Sequence, residues 1–172
     1  RKKEEYRMKK VLMICFMLIL SVTLVGCSNK ANKYKISYEG KGTFGFDEEK
    51  MTYCLSKYIS TKQELETISK KLNNGYFDES SANYNSEIGL IIRNYDDSFF
   101  IDKSLIVCVI DGENRFDYSV DKLKVSNDEL VINIKKTNKI GTFTDEAFAN
   151  LSIIEVEKNE FQNIKSVKTT IK

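Results

Sequence analysis

Residues 104–136 read SLIVCVIDGENRFDYSVDKLKVSNDELVINIKK, and their patterning sets the fold class. Ser104 to Ile110 is a nearly continuous apolar run, the mark of a central buried strand. Asp111-Gly112 is a turn signal. Beyond it, Phe116, Tyr118, Val120 and Lys122 fall on one face of a second strand, ahead of Leu123 and Val125. Asn127-Asp128 turns the chain. Leu130, Ile132 and Ile134 then alternate with Val131, Asn133 and Lys135, which is the second arm of a hairpin. An apolar strand beside two alternating ones predicts a mostly antiparallel β sheet or sandwich.

Downstream, Thr142 to Asn150 reads as a connection with a helical turn after Thr144. Leu151–Glu157 and Ile164–Ile171 then read as a final strand pair around Lys158-Asn159. Upstream, Tyr34, Ile36 and Tyr38 alternate with polar residues as a first strand, and Gly40, Gly42 and Gly45 punctuate a turn or bulge. Met51, Tyr53 and Leu55 alternate again. One amphipathic helix is expected near 61–73. Thr61-x-x-Glu64 is a capping box, with Ser60-x-x-Gln63 in the adjacent register. Leu65, Ile68 and Leu72 form its apolar stripe, a core contact, and Asn73-Asn74-Gly75 stops it. Tyr76–Glu87 is polar and reads as a loop, and Ile88–Ile92 as a short strand. Asp96–Ile101 reads as one helical turn with Asp96 or Asp97 capping and Phe99 and Phe100 docking. No internal repeat is visible, so residues 34–172 read as a single α+β domain dominated by β structure.

The N-terminal region has a different logic. Met8 to Cys27 reads MKKVLMICFMLILSVTLVGC. Lys9 and Lys10 form a positive start, Val11 to Val25 carries no charge, and Gly26 is small enough for a peptidase to reach the next bond. Leu24-Val25-Gly26-Cys27 closely resembles the lipobox of bacterial lipoprotein signal peptides. That resemblance implies cleavage between Gly26 and Cys27 and diacylglycerol on the Cys27 sulfur. It also implies a protein held on the outer face of the cytoplasmic membrane by its lipid. One acyl chain contributes ~0.8 kcal/mol per buried methylene and binds marginally, whereas two or three bind stably. An uncleaved membrane anchor would need about 20 apolar residues, more than this run supplies. Arg1–Arg7 (RKKEEYR) reads as an upstream extension of a signal starting at Met8, and residues 27–33 as a short tether.

Composition narrows the function classes. The chain carries 27 Lys+Arg and 25 Asp+Glu. Residues 1–26 hold six of the basic and two of the acidic ones, so 21 basic face 23 acidic residues beyond them, a balance near −2. Charges of both signs are interspersed, which argues against a nucleic-acid-binding face and against a polybasic membrane patch. Histidine is absent from the 172 residues. Ser-His-Asp and Cys-His catalysis and histidine-ligated zinc are therefore excluded within this chain. No catalytic residue, metal ligand or cofactor motif stands out. The acidic pairs at Asp47-Glu48-Glu49, Asp78-Glu79, Asp96-Asp97 and Asp145-Glu146 lack calcium-loop spacing and read as turns and caps.

Of the four cysteines, Cys15 lies in the signal and Cys27 is the lipid site. Cys54 and Cys108 remain, each expected in a strand. Outside the cytoplasm they are candidates for a disulfide that would contribute on the order of 4 kcal/mol. The alternative is two buried thiols acting as small hydrophobes.

SFFIDKSLIVCVI, YSVDKLKVSNDELVINIKK and LSIIEVEK together resemble the C-terminal domain of the protease-complex subunit PrcB and a β-rich domain of uncharacterised clostridial-type lipoproteins. The resemblance starts near Tyr95 and implies an accessory or regulatory role beside an extracytoplasmic protease. Where the PrcB pattern has Gly-Gly-Tyr, this chain has Phe116-Asp117-Tyr118, and its prolines are absent. The residues themselves favour a non-enzymatic binding or interaction module with a protein partner at the cell surface. A hydrolase using carboxylates alone is the remaining alternative.

Overall fold

The computed structural model describes residues 34–172 apart from positions 145 and 162. The expectations for residues 1–33, including the signal, Gly26, Cys27 and the tether, lie outside the described residues. The strands are β1 (Tyr34–Lys41), β2 (Leu55–Ile59), β3 (Lys103–Glu113), β4 (Phe116–Ser126), β5 (Glu129–Asn138), β6 (Ala147–Glu157) and β7 (Ser166–Ile171). The helices are α1 (Lys62–Lys71), α2 (Glu87–Arg93) and α3 (Phe99–Asp102). A four-stranded antiparallel sheet has the order β1-β6-β3-β2, and a three-stranded sheet the order β4-β5-β7. The β5–β7 pair is parallel. The chain is thus an α+β fold dominated by β sheet.

The four-stranded sheet is the middle layer. One of its faces turns Leu105, Val107, Val109, Leu151 and Ile153 toward Leu65 and Leu72 of the α1 stripe, Ile92 of α2 and Phe100 of α3. The opposite face turns Ile106, Cys108, Ile110, Ile154 and Val156 toward Tyr118, Val120, Leu130, Ile132 and Ile134 of the second sheet. A strand covered on both sides has no polar face to show. That is why 104–110 is continuously apolar instead of alternating, and β6 repeats the pattern with seven consecutive buried residues. Truncating one of the fully buried Leu or Ile side chains to Ala would cost about 2–5 kcal/mol.

The α1 helix forms where the capping box predicts it. Thr61 Oγ1 accepts from the Glu64 N–H at 3.1 Å, and the Glu64 carboxylate reaches back to the Ser60 N–H at 2.7 Å. Asn73 ends it with φ at 47°. Asn74 then ties the exit down, donating to the Phe44 carbonyl at 2.9 Å. The Phe44 segment passes so close that a Cβ on Gly45 would lie 2.5 Å from the Leu72 carbonyl oxygen, and Gly45 sits at φ +112°. A side chain there would be strained on both counts.

Five local expectations are corrected. Residues 88–92 are helical, as part of α2. Ser86 caps it by accepting from the Gly89 N–H at 3.0 Å, and the run IGLII places Ile88, Ile91 and Ile92 inward at helical spacing while Leu90 is exposed. Residues 51–54 are not strand. Met51 adopts φ 52° at the tip of a small hairpin closed by an Asp47–Thr52 bridge, and regular pairing starts at Leu55. Lys122 is exposed, because β4 carries a bulge between Val120 and Lys122 that shifts the inward face to Leu123. The connection after Thr142 is short, since β6 begins at Ala147. Finally, β6 and β7 do not pair. A 3-10 turn at Lys158–Glu160 and the buried Phe161, packed between the sheets, carry the chain across to β5.

Candidate functional site

The open side of the sandwich is set by the sheet edges. At one side β1 and β4 are drawn together. The Val120 N–H donates to Glu39 Oε1 at 2.7 Å, and the Tyr34 hydroxyl donates to the Asp121 carbonyl at 3.1 Å. At the other side lie β2 and β7, whose side chains meet through the Ser56 and Thr169 hydroxyls at 2.7 Å. Beside this contact a groove of about 380 Å³ runs along Cys54–Tyr58 and Ile164–Val167, with Lys50 at its rim.

The groove is basic. Its lining includes Lys50, Lys57 and Lys165 and no carboxylate. Lys50 leans on Asp47 at 3.6 Å and Lys165 on Asp128 at 3.0 Å. Lys57, on the middle residue of β2, has no ion-pair partner among the described residues. Met51 and Tyr53 stand exposed on the adjoining hairpin.

Cys54 lines this groove as an exposed free thiol, and Cys108 lies buried behind β2, also free. Burial pushes the Cys108 thiol up from its usual range, against weaker support from the Thr169 and Ser56 hydroxyls. Cys108 is registered with Ser56, so continuing the ladder one residue past Leu55 puts Cys54 on the diagonal from it. Diagonal neighbours sit ~7–8 Å apart, whereas a disulfide brings Cβ atoms to ~3.5–4.5 Å. The pair that the sequence singled out as a candidate bridge is unbridged here, one thiol exposed and the other buried.

A second cluster surrounds Glu155. Its carboxylate accepts from the Ser37 hydroxyl at 2.6 Å, from Lys35 Nζ at 2.9 Å and from the Tyr95 hydroxyl at 3.4 Å, while Lys103 Nζ stands 3.7 Å away. Burial alone would raise this carboxyl, but the Ser37 hydrogen bond and the two ammonium groups outweigh it and hold Glu155 below its ordinary value. Burial pushes the Tyr95 hydroxyl up to about 12. With its oxygens engaged, Glu155 ties together β1, β3 and the α2–α3 segment through Lys35, Ser37, Lys103 and Tyr95.

No family model, curated protein or solved structure matches this chain.

Three of the acidic clusters noted in the sequence serve turns and caps. Asp47 accepts from the Lys50 N–H, Asp78 from Ser80, and Asp96 from the Phe99 N–H at 2.9 Å. Hydrogen bonds from Ser80 and from Ser98 and Phe99 hold Asp78 and Asp96 below the usual carboxylate range. Among the described residues no group of three metal-ligating side chains converges, and no helix is long and apolar enough to cross a membrane. Gly26 and Cys27, the residues the sequence assigns to cleavage and lipidation, lie outside the described residues.

Sequence reasoning passed over both the groove and the Glu155 cluster. Glu155 had a signal, a lone carboxylate inside the apolar run LSIIEV. The groove had none, because Lys50, Lys57 and Lys165 are scattered lysines until the parallel β5–β7 pairing sets residues 164–167 beside β2.

Proposed function

We propose that this chain is a surface lipoprotein whose β-rich domain acts as a non-enzymatic binding or interaction module. Lipid on Cys27 holds it to the outer face of the cytoplasmic membrane. The observation that carries the anchor is MKKVLMICFMLILSVTLVGC, ending Leu24-Val25-Gly26-Cys27. Support for an interaction role comes from the basic groove beside two exposed sheet edges, which offers backbone groups and charge but no assembled pair of catalytic carboxylates among its lining residues. The titratable groups with shifted values are tied to structural neighbours: Glu155 to Ser37 and Lys35, and Glu113 to Lys136 and Arg115.

Two measurements test the reading. Cys27→Ser should abolish metabolic labelling by a fatty-acid analogue and leave an uncleaved precursor. Labelling that persists in the variant would remove the anchor from the proposal. Cross-linking in intact cells should return a specific protein partner, and repeated failure to capture one would remove the interaction role.

A further inference from the structure

We propose that the groove between β2 and β7 receives an extended, acidic peptide segment of a partner protein, which pairs with the outer edge of β2 as an added strand. This names the site and the class of partner within the interaction reading above, and it rests on that reading.

The first argument is an asymmetry in how the sheet edges are protected. An unpaired edge is a template for another strand, and natural sheets blunt edges with bulges, cover, short strands or lysines, of which the bulge is the one that fixes a distorted backbone. Both edges on one side are so treated. The register of β1 shifts between Ile36 and Tyr38, that of β4 shifts between Val120 and Lys122, and the two are stapled by Glu39 and Tyr34. Across the molecule, β2 pairs with β3 without a shift from Leu55 to Ile59, and β7 with β5 without a shift from Ser166 to Ile171. The pair of edges without a bulge flanks the 380 Å³ groove, where the Ser56 and Thr169 hydroxyls meet at 2.7 Å and the five-residue β2 carries Lys57 at its centre.

The second argument is charge. A chain near −2 beyond residue 26 places three lysines and no carboxylate among the lining residues of this groove, with Asp47 and Asp128 just outside it pairing Lys50 and Lys165. Lys57 projects from the midpoint of β2 without an ion-pair partner among the described residues. A second copy of this chain docking antiparallel on β2 would set Lys57 against Lys57, and like charges directly opposite destabilise a strand pair. The same lysine attracts a strand bearing carboxylates. Strand addition also fits the length available: five residues at ~3.4 Å each give a platform about 17 Å long. Met51 and Tyr53, exposed on the hairpin that precedes β2, offer an adaptable apolar contact beyond one end of that platform.

A phosphate polymer fits less well. Two of the three ammonium groups are already paired with Asp47 and Asp128, no arginine fork is present among the lining residues, and such a polymer has no backbone donors and acceptors for β2.

The test uses the full chain in detergent micelles and a fluorescent, capped peptide of alternating valine and glutamate. Binding is read by anisotropy, and amide hydrogen exchange locates it. The acidic peptide should bind and slow exchange within residues 55–59. Lys57→Glu, a change at an exposed position, should weaken binding about tenfold or more without altering the circular dichroism. Replacing the peptide's glutamates by lysines, or N-methylating alternate amides, should abolish binding. No binding, equal binding by the N-methylated peptide or by inorganic polyphosphate, or protection away from 55–59 would overturn the proposal. A photo-reactive residue at position 57 or at Lys124 on β4 then separates the two readings in cells. Partner capture from 57 supports both. Capture from 124 alone overturns the groove and keeps an interaction role, and capture from neither overturns both.

Discussion

The Glu39 carboxylate on β1 accepts the backbone N–H of Val120 on β4 at 2.7 Å, across the gap between the two sheets. β4 is an edge strand, so its N–H groups that point away from β5 need a partner outside the sheet. The edge of one sheet thus becomes an anchor for the other. Glu39→Ala should destabilise the protein by about 1 kcal/mol, near the low end for a lost charge-assisted bond, because Glu39 is exposed and water can reach the vacated site. Glu39→Gln keeps an acceptor and should lose less than half of that. Urea denaturation of both variants is the measurement, and equal losses would show that the charge alone matters.

The bulge residue itself makes a sharper prediction. Without Asp121, the segment Val120-Lys122-Leu123-Lys124 alternates in perfect phase with Phe116, Tyr118 and Val120, and the register to Ile134, Asn133 and Ile132 closes up. Deleting Asp121 should therefore leave the inward set intact and the domain folded, within about 2 kcal/mol of the parent. The cost should appear elsewhere, as a flat β4 edge that self-associates. Sedimentation velocity should detect concentration-dependent dimers that the parent lacks. An unfolded deletion variant would mean that the bulge sets the sheet curvature and not just edge protection.

These elements show what was legible beforehand. The phase slip leaves a trace in the sequence, since Phe116, Tyr118 and Val120 are even-numbered while Leu123 and Val125 are odd, but placing Lys122 on the first face overlooks it. Written there plainly are α1, through its capping box and stripe, and the central place of β3, through its unbroken apolar run. Other features depended on tertiary partners. Ile88–Ile92 is a short β-branched run that suits a strand or a buried helix, and the Ser86 cap and the core under Ile92 decide for helix. Leu151–Glu157 and Ile164–Ile171 look like a hairpin because they are adjacent in sequence. Nothing local reveals that Phe161 is buried between the sheets and diverts the chain to a parallel pairing. The candidate groove is a product of that same diversion, and so it was invisible.

Arg93 closes the polar segment between α1 and α2. Its guanidinium donates to the Tyr76 carbonyl at 2.9 Å and to the Tyr84 carbonyl, and stacks 3.5 Å from the Tyr84 ring centre. A lysine supplies one compact ammonium in place of a planar fork and cannot serve the stack and both carbonyls together. Arg93→Lys should cost about 1–3 kcal/mol and should open residues 77–86 to limited proteolysis while β3 and β6 stay protected. Unchanged cleavage would assign the order of this segment to Asn74 and Asn83 instead, which bridge it through the Asn83 amide at 2.9 Å.

Among the described residues, Glu155 is one of four carboxyls held below their ordinary values, and the buried one of the four. Its folded-state carboxyl is held below its ordinary value, so its contribution is fully present above the unfolded value, about 4.3, and is lost as pH falls through the lower folded value. Glu155→Gln removes that contribution while Asp78, Asp96 and Glu113 titrate alike in both proteins. The parent should be the more stable at pH 7. The gap should stay constant down to about pH 5, narrow below about pH 4.3, and close once the folded carboxyl is protonated. Denaturant midpoints measured across that range check it. A gap that persists undiminished at pH 2 would mean that Glu155 supports Ser37 and Tyr95 through shape and hydrogen bonding, with Lys35 and Lys103 contributing nothing measurable.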